Sequence, residues 1–228
     1  MKYSGLIFDF NGVLWFDTAL QEKAWRDFSR QIRGRAFTQA EMDRHVHGRN
    51  NPYTLAYLTG RDLDDAEVRE MIEAKESLYR RLCLQQGADF RLSPGAIPLL
   101  EDLQARGIPL TIATASEFNN VQFFVQHLHL DRWFDTGNIV YDDGGHPGKP
   151  DPAIFLKAAD RLGLMPRQCV VIEDSLSGLQ AAHRAGIGHI VALGPSDRHQ
   201  RLAASPGVET VIETLAEVPR DRLFSQER

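Results

Sequence analysis

Beyond about residue 90 the chain alternates short, apolar, β-branched runs with segments carrying apolar residues at helical spacing, and this alternation narrows the choice of fold more than any other feature. The runs "IPLTIATA" (108–115), "NIVY" (138–141), "QCVVIED" (168–174) and "IGHIVAL" (187–193) lack the polar alternation of a strand with one wet face, so they read as strands covered on both faces. Between them, Ala96, Leu99, Leu100 and Leu103 fall at i, i+3, i+4 and i+7 ahead of Gly107. Phe155, Ala158, Ala159 and Leu162 repeat that spacing behind Asp151 as N-cap and Pro152 as first helical residue. Strand, helix, strand, helix implies right-handed crossovers and a parallel sheet, hence an α/β fold.

Residues 17–90 break the rhythm. They read as consecutive helices, with Trp25, Phe28 and Ile32 on one face and no strand between them. The predicted organisation is a core domain of residues 1–16 and 91–228 interrupted by a helical domain, 17–90, which the chain leaves near Ser93 and Pro94. A length of 228 residues suits one large core with a small insert.

Composition removes several function classes. The chain is 43% hydrophobic and 25% charged, as in ordinary globular proteins. Its net charge of −5 argues against nucleic acid as a partner, since backbone-driven binding needs a basic face. Cys83 and Cys169 are far apart and in no C-x-x-C spacing, so neither a zinc site nor a disulfide framework is indicated, and a cytoplasmic setting is expected. No window reaches membrane-spanning length, and the N-terminal apolar run is too short for a signal peptide. The histidines form no ligand pattern: His45 and His47 point to different helix faces, as do His127 and His129. Oligomeric state cannot be read from the sequence.

In an open parallel sheet, ligands bind at the carboxyl ends of the strands. The first strand, in "LIFDFNGV", ends in Asp9 and Asn11; "IPLTIATA" runs out at Thr114 and Ser116; "QCVVIED" closes on Glu173 and Asp174; and "GHPGKPDP" brings Lys149 ahead of a helix. This set suits phosphoryl transfer. Asp9 is placed to attack phosphorus as a carboxylate nucleophile. A hard, oxygen-liganded Mg²⁺ would hold Asp9 and a phosphate oxygen together despite their like charge, with Asp174 as second anchor and Glu173 beside it. Thr114 is placed to bond a phosphoryl oxygen, and Lys149 to neutralise the phosphoryl group and Asp9.

The ordered set "DFNGV", "IATAS", "GKPDP" and "VIEDSLSGLQAAHRAG" resembles the four motifs of the haloacid dehalogenase-like hydrolases. The helical insert after the first motif is similar to the cap of the β-phosphoglucomutase-like branch. The resemblance implies a Rossmann-like doubly wound core, a helical cap, Mg²⁺ and an aspartyl-phosphate intermediate. It also implies that the Asn11 backbone carbonyl joins Asp9, Glu173 and Asp174 around the metal. At one place the pattern departs from the family: its phosphatases and mutases usually carry aspartate two residues after the nucleophile, as general acid and base, and this chain has Asn11. An amide shuttles no proton, so poor alkoxide leaving groups suffer and simple monoesters are expected to turn over slowly. Gln21 stands near where the mutases carry a second acid–base histidine, which further disfavours a mutase.

In the insert, Met71, Lys75, Leu78 and Leu82 share one stripe, which places Lys75 among apolar residues as a substrate contact or a snorkelling side chain. Arg49 and Asn50 in "HGRNNPY" and Ser116 complete the expected substrate-binding set. The expected function is hydrolysis of a small phosphorylated metabolite. The alternatives are a pseudoenzyme that binds a phosphorylated ligand, or another reaction of the family such as dehalogenation or phosphonate cleavage. Retention of Lys149, Glu173 and Asp174 speaks against metal-free dehalogenation.

Overall fold

The structure, a computed structural model, describes residues 3–46, 51–145 and 147–224. The chain divides into two compact units, Met1–Phe16 with Arg91–Arg228, and Asp17–Phe90. Strand β1 (Gly5–Phe8) is followed by four helices, α1 (Thr18–Arg33), α2 (Gln39–His45), α3 (Asn51–Thr59) and α4 (Asp65–Gln85). Then come α5 (Ala96–Ala105), β2 (Leu110–Glu117), α6 (Phe118–Leu128), β3 (Val140–Asp142), α7 (Ala153–Arg161), β4 (Cys169–Glu173), α8 (Leu176–Arg184), β5 (His189–Leu193), α9 (His199–Ala203), β6 (Val208–Ile212) and α10 (Arg220–Leu223).

The six strands form one parallel sheet in the order β3-β2-β1-β4-β5-β6. Every residue of β1, β4 and β5 is buried, as the uniformly apolar runs required of strands covered on both faces. Ile7, Ala113, Phe155, Val171, Leu179 and Ile190 belong to the core that joins this sheet to its helices. The chain runs outward from β1 to β2 and β3, then returns to lay β4 against the other side of β1. The topological switch point therefore lies between β1 and β4, where such sheets open their ligand crevice.

The helical unit has its own core, including Trp25, Phe28, Phe37, Met42, Leu55 and Ile72. Two of its helices carry a capping box: Thr38 and Glu41 bond each other's backbone N–H at α2, and Asp64 and Glu67 do so at α4. Among the described residues no helix is long and apolar enough to cross a membrane.

Three local expectations need correction. Ile32 lies in the last turn of α1 and is 44% exposed, because the buried stripe runs through Ala24, Trp25, Phe28 and Ser29 and ends short of it. Helix α7 begins one residue later than expected: Pro152 is the N-cap, and Asp151 supports the start from outside by accepting the Ala153 N–H at 2.9 Å. Strand β6, "VETVI", was absent from the predicted strands.

Candidate active site

Asp9 follows β1 directly, and its backbone N–H donates to the Ile172 carbonyl of β4 at 2.9 Å, which pins it at the switch point. Glu173 ends β4 and Asp174 follows. Lys149 comes from the loop before α7, next to a cis Lys149–Pro150 peptide bond. Its ammonium donates to Asp9 Oδ1 and to Glu173 Oε1, each at 2.6 Å. Lys149 is thus the strut that holds a carboxylate following one strand against an acid that ends its neighbour.

Both oxygens of Glu173 are engaged. Oε1 accepts from Lys149, and Oε2 accepts the Ser175 N–H at 2.6 Å, where Ser175 caps α8 through the Gly178 N–H. The carboxylate sits so close to α8 that a Cβ on Gly178 would lie 1.7 Å from Oε1. Gly12 has the same relation to Asp174. Its φ is +81°, and a Cβ there would lie 2.3 Å from Oδ2. These two glycines let the backbone close around the acids.

Asp9, Glu173 and Asp174 each offer an oxygen within 4.8 Å of the others. Burial pushes the Asp9 carboxyl up to about 7; Lys149 pulls it down and Glu173 adds to the rise. Burial also raises Asp174 to about 8, with Glu173 and Asp9 adding repulsion. For Lys149, burial works against the charge, but Asp9 and Glu173 outweigh it and raise its pKa. Three carboxylates with one bonded lysine leave negative charge for a cation to balance. The all-oxygen donor set, closed in by Gly12, fits a hard divalent ion such as Mg²⁺.

Beside this cluster, Ser116 Oγ donates to Asn11 Oδ1 at 2.8 Å. Thr114 Oγ1 accepts the Ser116 N–H at 3.1 Å and lies 3.5 Å from the same Asn11 oxygen. Asp9, Asn11, Thr114, Ser116, Lys149, Glu173 and Asp174 are thus brought to one edge of the sheet. Lys75 belongs to the helical unit, and it does not snorkel. It is buried, with its ammonium on Glu76 Oε1 at 2.5 Å and Gln21 Oε1 at 3.0 Å, over the Trp25 ring. Arg49 and Asn50 lie outside the described residues. Arg198 was missed by the sequence reading: it follows β5, and its Nη2 donates to the Asp174 backbone carbonyl at 3.0 Å. The same strand-end logic, applied to "ALGPSDR", would have found it.

A family model described as haloacid dehalogenase-like hydrolase matches residues 3–186. The chain belongs to the haloacid dehalogenase-like hydrolases. Among its relatives in this family is the phosphorylated carbohydrates phosphatase of Thermotoga maritima, 30% identical over 189 residues, which cover 81% of this chain and 82% of that protein. Among solved structures, a family IA, variant 3 hydrolase from Entamoeba histolytica superposes with a TM-score of 0.90 at 35% identity, covering 98% of this chain and 97% of that one. A β-phosphoglucomutase assignment from T. maritima, described there as putative, gives 0.71 at 25% identity over 95% and 96% of the two chains. The chain is thus a haloacid dehalogenase-like hydrolase whose neighbours lie in the β-phosphoglucomutase-like branch.

Proposed function

We propose that this chain is a Mg²⁺-dependent phosphohydrolase acting on a small phosphorylated metabolite through an aspartyl phosphate at Asp9. The observation that carries the reading is the Lys149 strut between Asp9 and Glu173 at the switch point. The name of the T. maritima relative, a phosphatase of phosphorylated carbohydrates, supports the substrate class.

In this reading Asp9, Asp174, Glu173 and the Asn11 carbonyl hold the ion, which when bound offsets the negative charge shared by nucleophile and phosphate. Asp9 attacks phosphorus, the bond to the leaving oxygen breaks, and water then cleaves the acyl phosphate to release inorganic phosphate and restore Asp9. Lys149 and the Thr114 hydroxyl bind the phosphoryl oxygens, and Lys149 keeps Asp9 oriented. Residues 17–90 serve as the cap, with Ser116, Arg49 and Asn50 as substrate contacts. Phosphonate cleavage through a Schiff base is disfavoured because the Lys75 ammonium is committed to Glu76 and Gln21.

Asn11 sets the limit on this chemistry. Without a proton donor at that position the leaving group must depart as its anion, so acyl and aryl phosphates outpace sugar phosphates. Losing a general acid costs about 10²–10⁴ in rate. The test is phosphate release from acetyl phosphate, p-nitrophenyl phosphate and a panel of sugar phosphates, with and without Mg²⁺. Release that needs Mg²⁺ and disappears in Asp9→Asn supports the reading. Near-wild-type release by Asp9→Asn removes Asp9 as nucleophile, and ligand binding with no turnover of any substrate favours the pseudoenzyme.

A further inference from the structure

We propose that Arg198 is a positioning residue for the metal site, acting through the peptide group that joins Asp174 to Ser175; this rests on the reading of Asp174 as a metal ligand. That peptide group is gripped at both ends. Its carbonyl accepts from Arg198 Nη2 at 3.0 Å, and its N–H donates to Glu173 Oε2 at 2.6 Å. A peptide plane held at oxygen and at nitrogen resists rotation, which narrows ψ at Asp174 and with it the directions open to the Cα–Cβ bond of a carboxylate that lies against Gly12.

Arg198 is itself well anchored. It ends the turn Ser196–Arg198 after β5, its N–H donates to the Pro195 carbonyl at 2.9 Å, and the neighbouring His199 ring bonds the Gly194 carbonyl at 2.9 Å. The clamp thus transmits the position of β5 to a residue following β4. Arg198 makes no ion pair with a carboxylate among the described residues. A half-buried guanidinium spent on one backbone carbonyl is explained by what that carbonyl carries.

Charge and clamp pull in opposite directions. The guanidinium's charge, close to Asp174, opposes a second cation, whereas its hydrogen bond preorganises a ligand for one. Partners that orient metal ligands are typically worth about 10–100-fold in metal affinity. The clamp therefore predicts that Arg198→Ala weakens Mg²⁺ binding by about tenfold or more. Arg198→Gln keeps a donor without the charge and should bind Mg²⁺ better than the alanine variant.

The experiment is calorimetric titration of the whole, metal-free protein with Mg²⁺, for wild type and both variants. It is paired with hydrogen exchange of the Ser175 amide in the absence of metal, with circular dichroism to verify folding. Weaker binding and faster Ser175 exchange in Arg198→Ala, partly restored in Arg198→Gln, support the proposal. Equal or tighter Mg²⁺ binding by a folded Arg198→Ala, or unchanged Ser175 exchange, overturns it. Wild-type protein that takes up no Mg²⁺ overturns the metal reading itself, and this inference with it; an alanine variant that does not fold leaves the glutamine variant to decide by the same exchange measurement, where slow, wild-type-like exchange is required.

Discussion

At the scale of single residues, the defining feature is an amide, Asn11, two positions after the carboxylate proposed as the nucleophile, Asp9. Asn11 is held through its oxygen by Ser116, so replacing it with the isosteric acid should preserve the local geometry. Asn11→Asp should raise sugar-phosphate turnover by a factor approaching 10², within the range of about 10²–10⁴ typical of a general acid, while changing acetyl phosphate hydrolysis little. Rates on both substrates for both proteins decide it, and equal effects on the two would show that the leaving group is not limiting. The carboxyls also predict a pH dependence. Folding raises Asp9 from its ordinary 3.8 to about 7 and Asp174 from 3.8 to about 8, so between those limits the folded protein binds protons that the unfolded chain has lost. Their contribution is fully present below about pH 4 and is lost as pH rises toward 8. Metal-free protein should accordingly melt at a lower temperature near pH 8 than near pH 5 as far as these groups decide it. Added Mg²⁺ should recover more stability at the higher pH, where its ligands are ionised. Melting curves in chelator and in Mg²⁺ at the two pH values test this.

At the scale of elements, the site depends on how near a helix comes to a strand end. Gly178→Ala is a change that an isolated helix would welcome by about 1 kcal/mol. Here its Cβ would fall 1.7 Å from Glu173 Oε1, so Glu173 must move and the Lys149 strut with it. The variant should melt lower and lose phosphate release together; a higher melting point with full activity would show that α8 can retreat without cost. What was legible in the sequence follows the same division. The doubly covered strands announced themselves because burial on both faces leaves a nearly continuous apolar run, as in Cys169–Ile172 of β4 and Ile190–Leu193 of β5, with Glu173 and His189 at their ends. Strand β6 is different. It lies at the sheet edge, its Glu209 is exposed and its Val208, Thr210 and Val211 are only partly buried, so Glu and Thr interrupt its β-branched residues and it lacks the continuous apolar run by which β4 and β5 are recognised. The strand-end acids and Lys149 could be found by position. Arg198 could be placed near the same edge by its position after β5, but not given a partner, because that partner is a backbone carbonyl and a backbone carbonyl leaves no trace in a sequence.

At the scale of the whole molecule, the sheet is built from two distant pieces of chain. Strand β1 comes from the first piece and lies between β2 and β4, so the second piece alone would have a gap in the middle of its sheet. A chain starting at Arg91 should show no cooperative unfolding transition by near-ultraviolet circular dichroism. A chain in which a short linker replaces residues 17–90 should recover one, since β1 is then restored. The join is feasible because departure and return coincide: the Ser93 N–H donates to the Leu14 carbonyl at 2.8 Å, and the Ser93 hydroxyl to the Val13 carbonyl at 2.6 Å. Those two bonds also bear on heredity. A lineage can lengthen, shorten or exchange everything between the two sides of that seam while the strands beside Asp9 and Glu173 keep their register, so the helical unit and the strand-end cluster are free to evolve at different speeds within one gene.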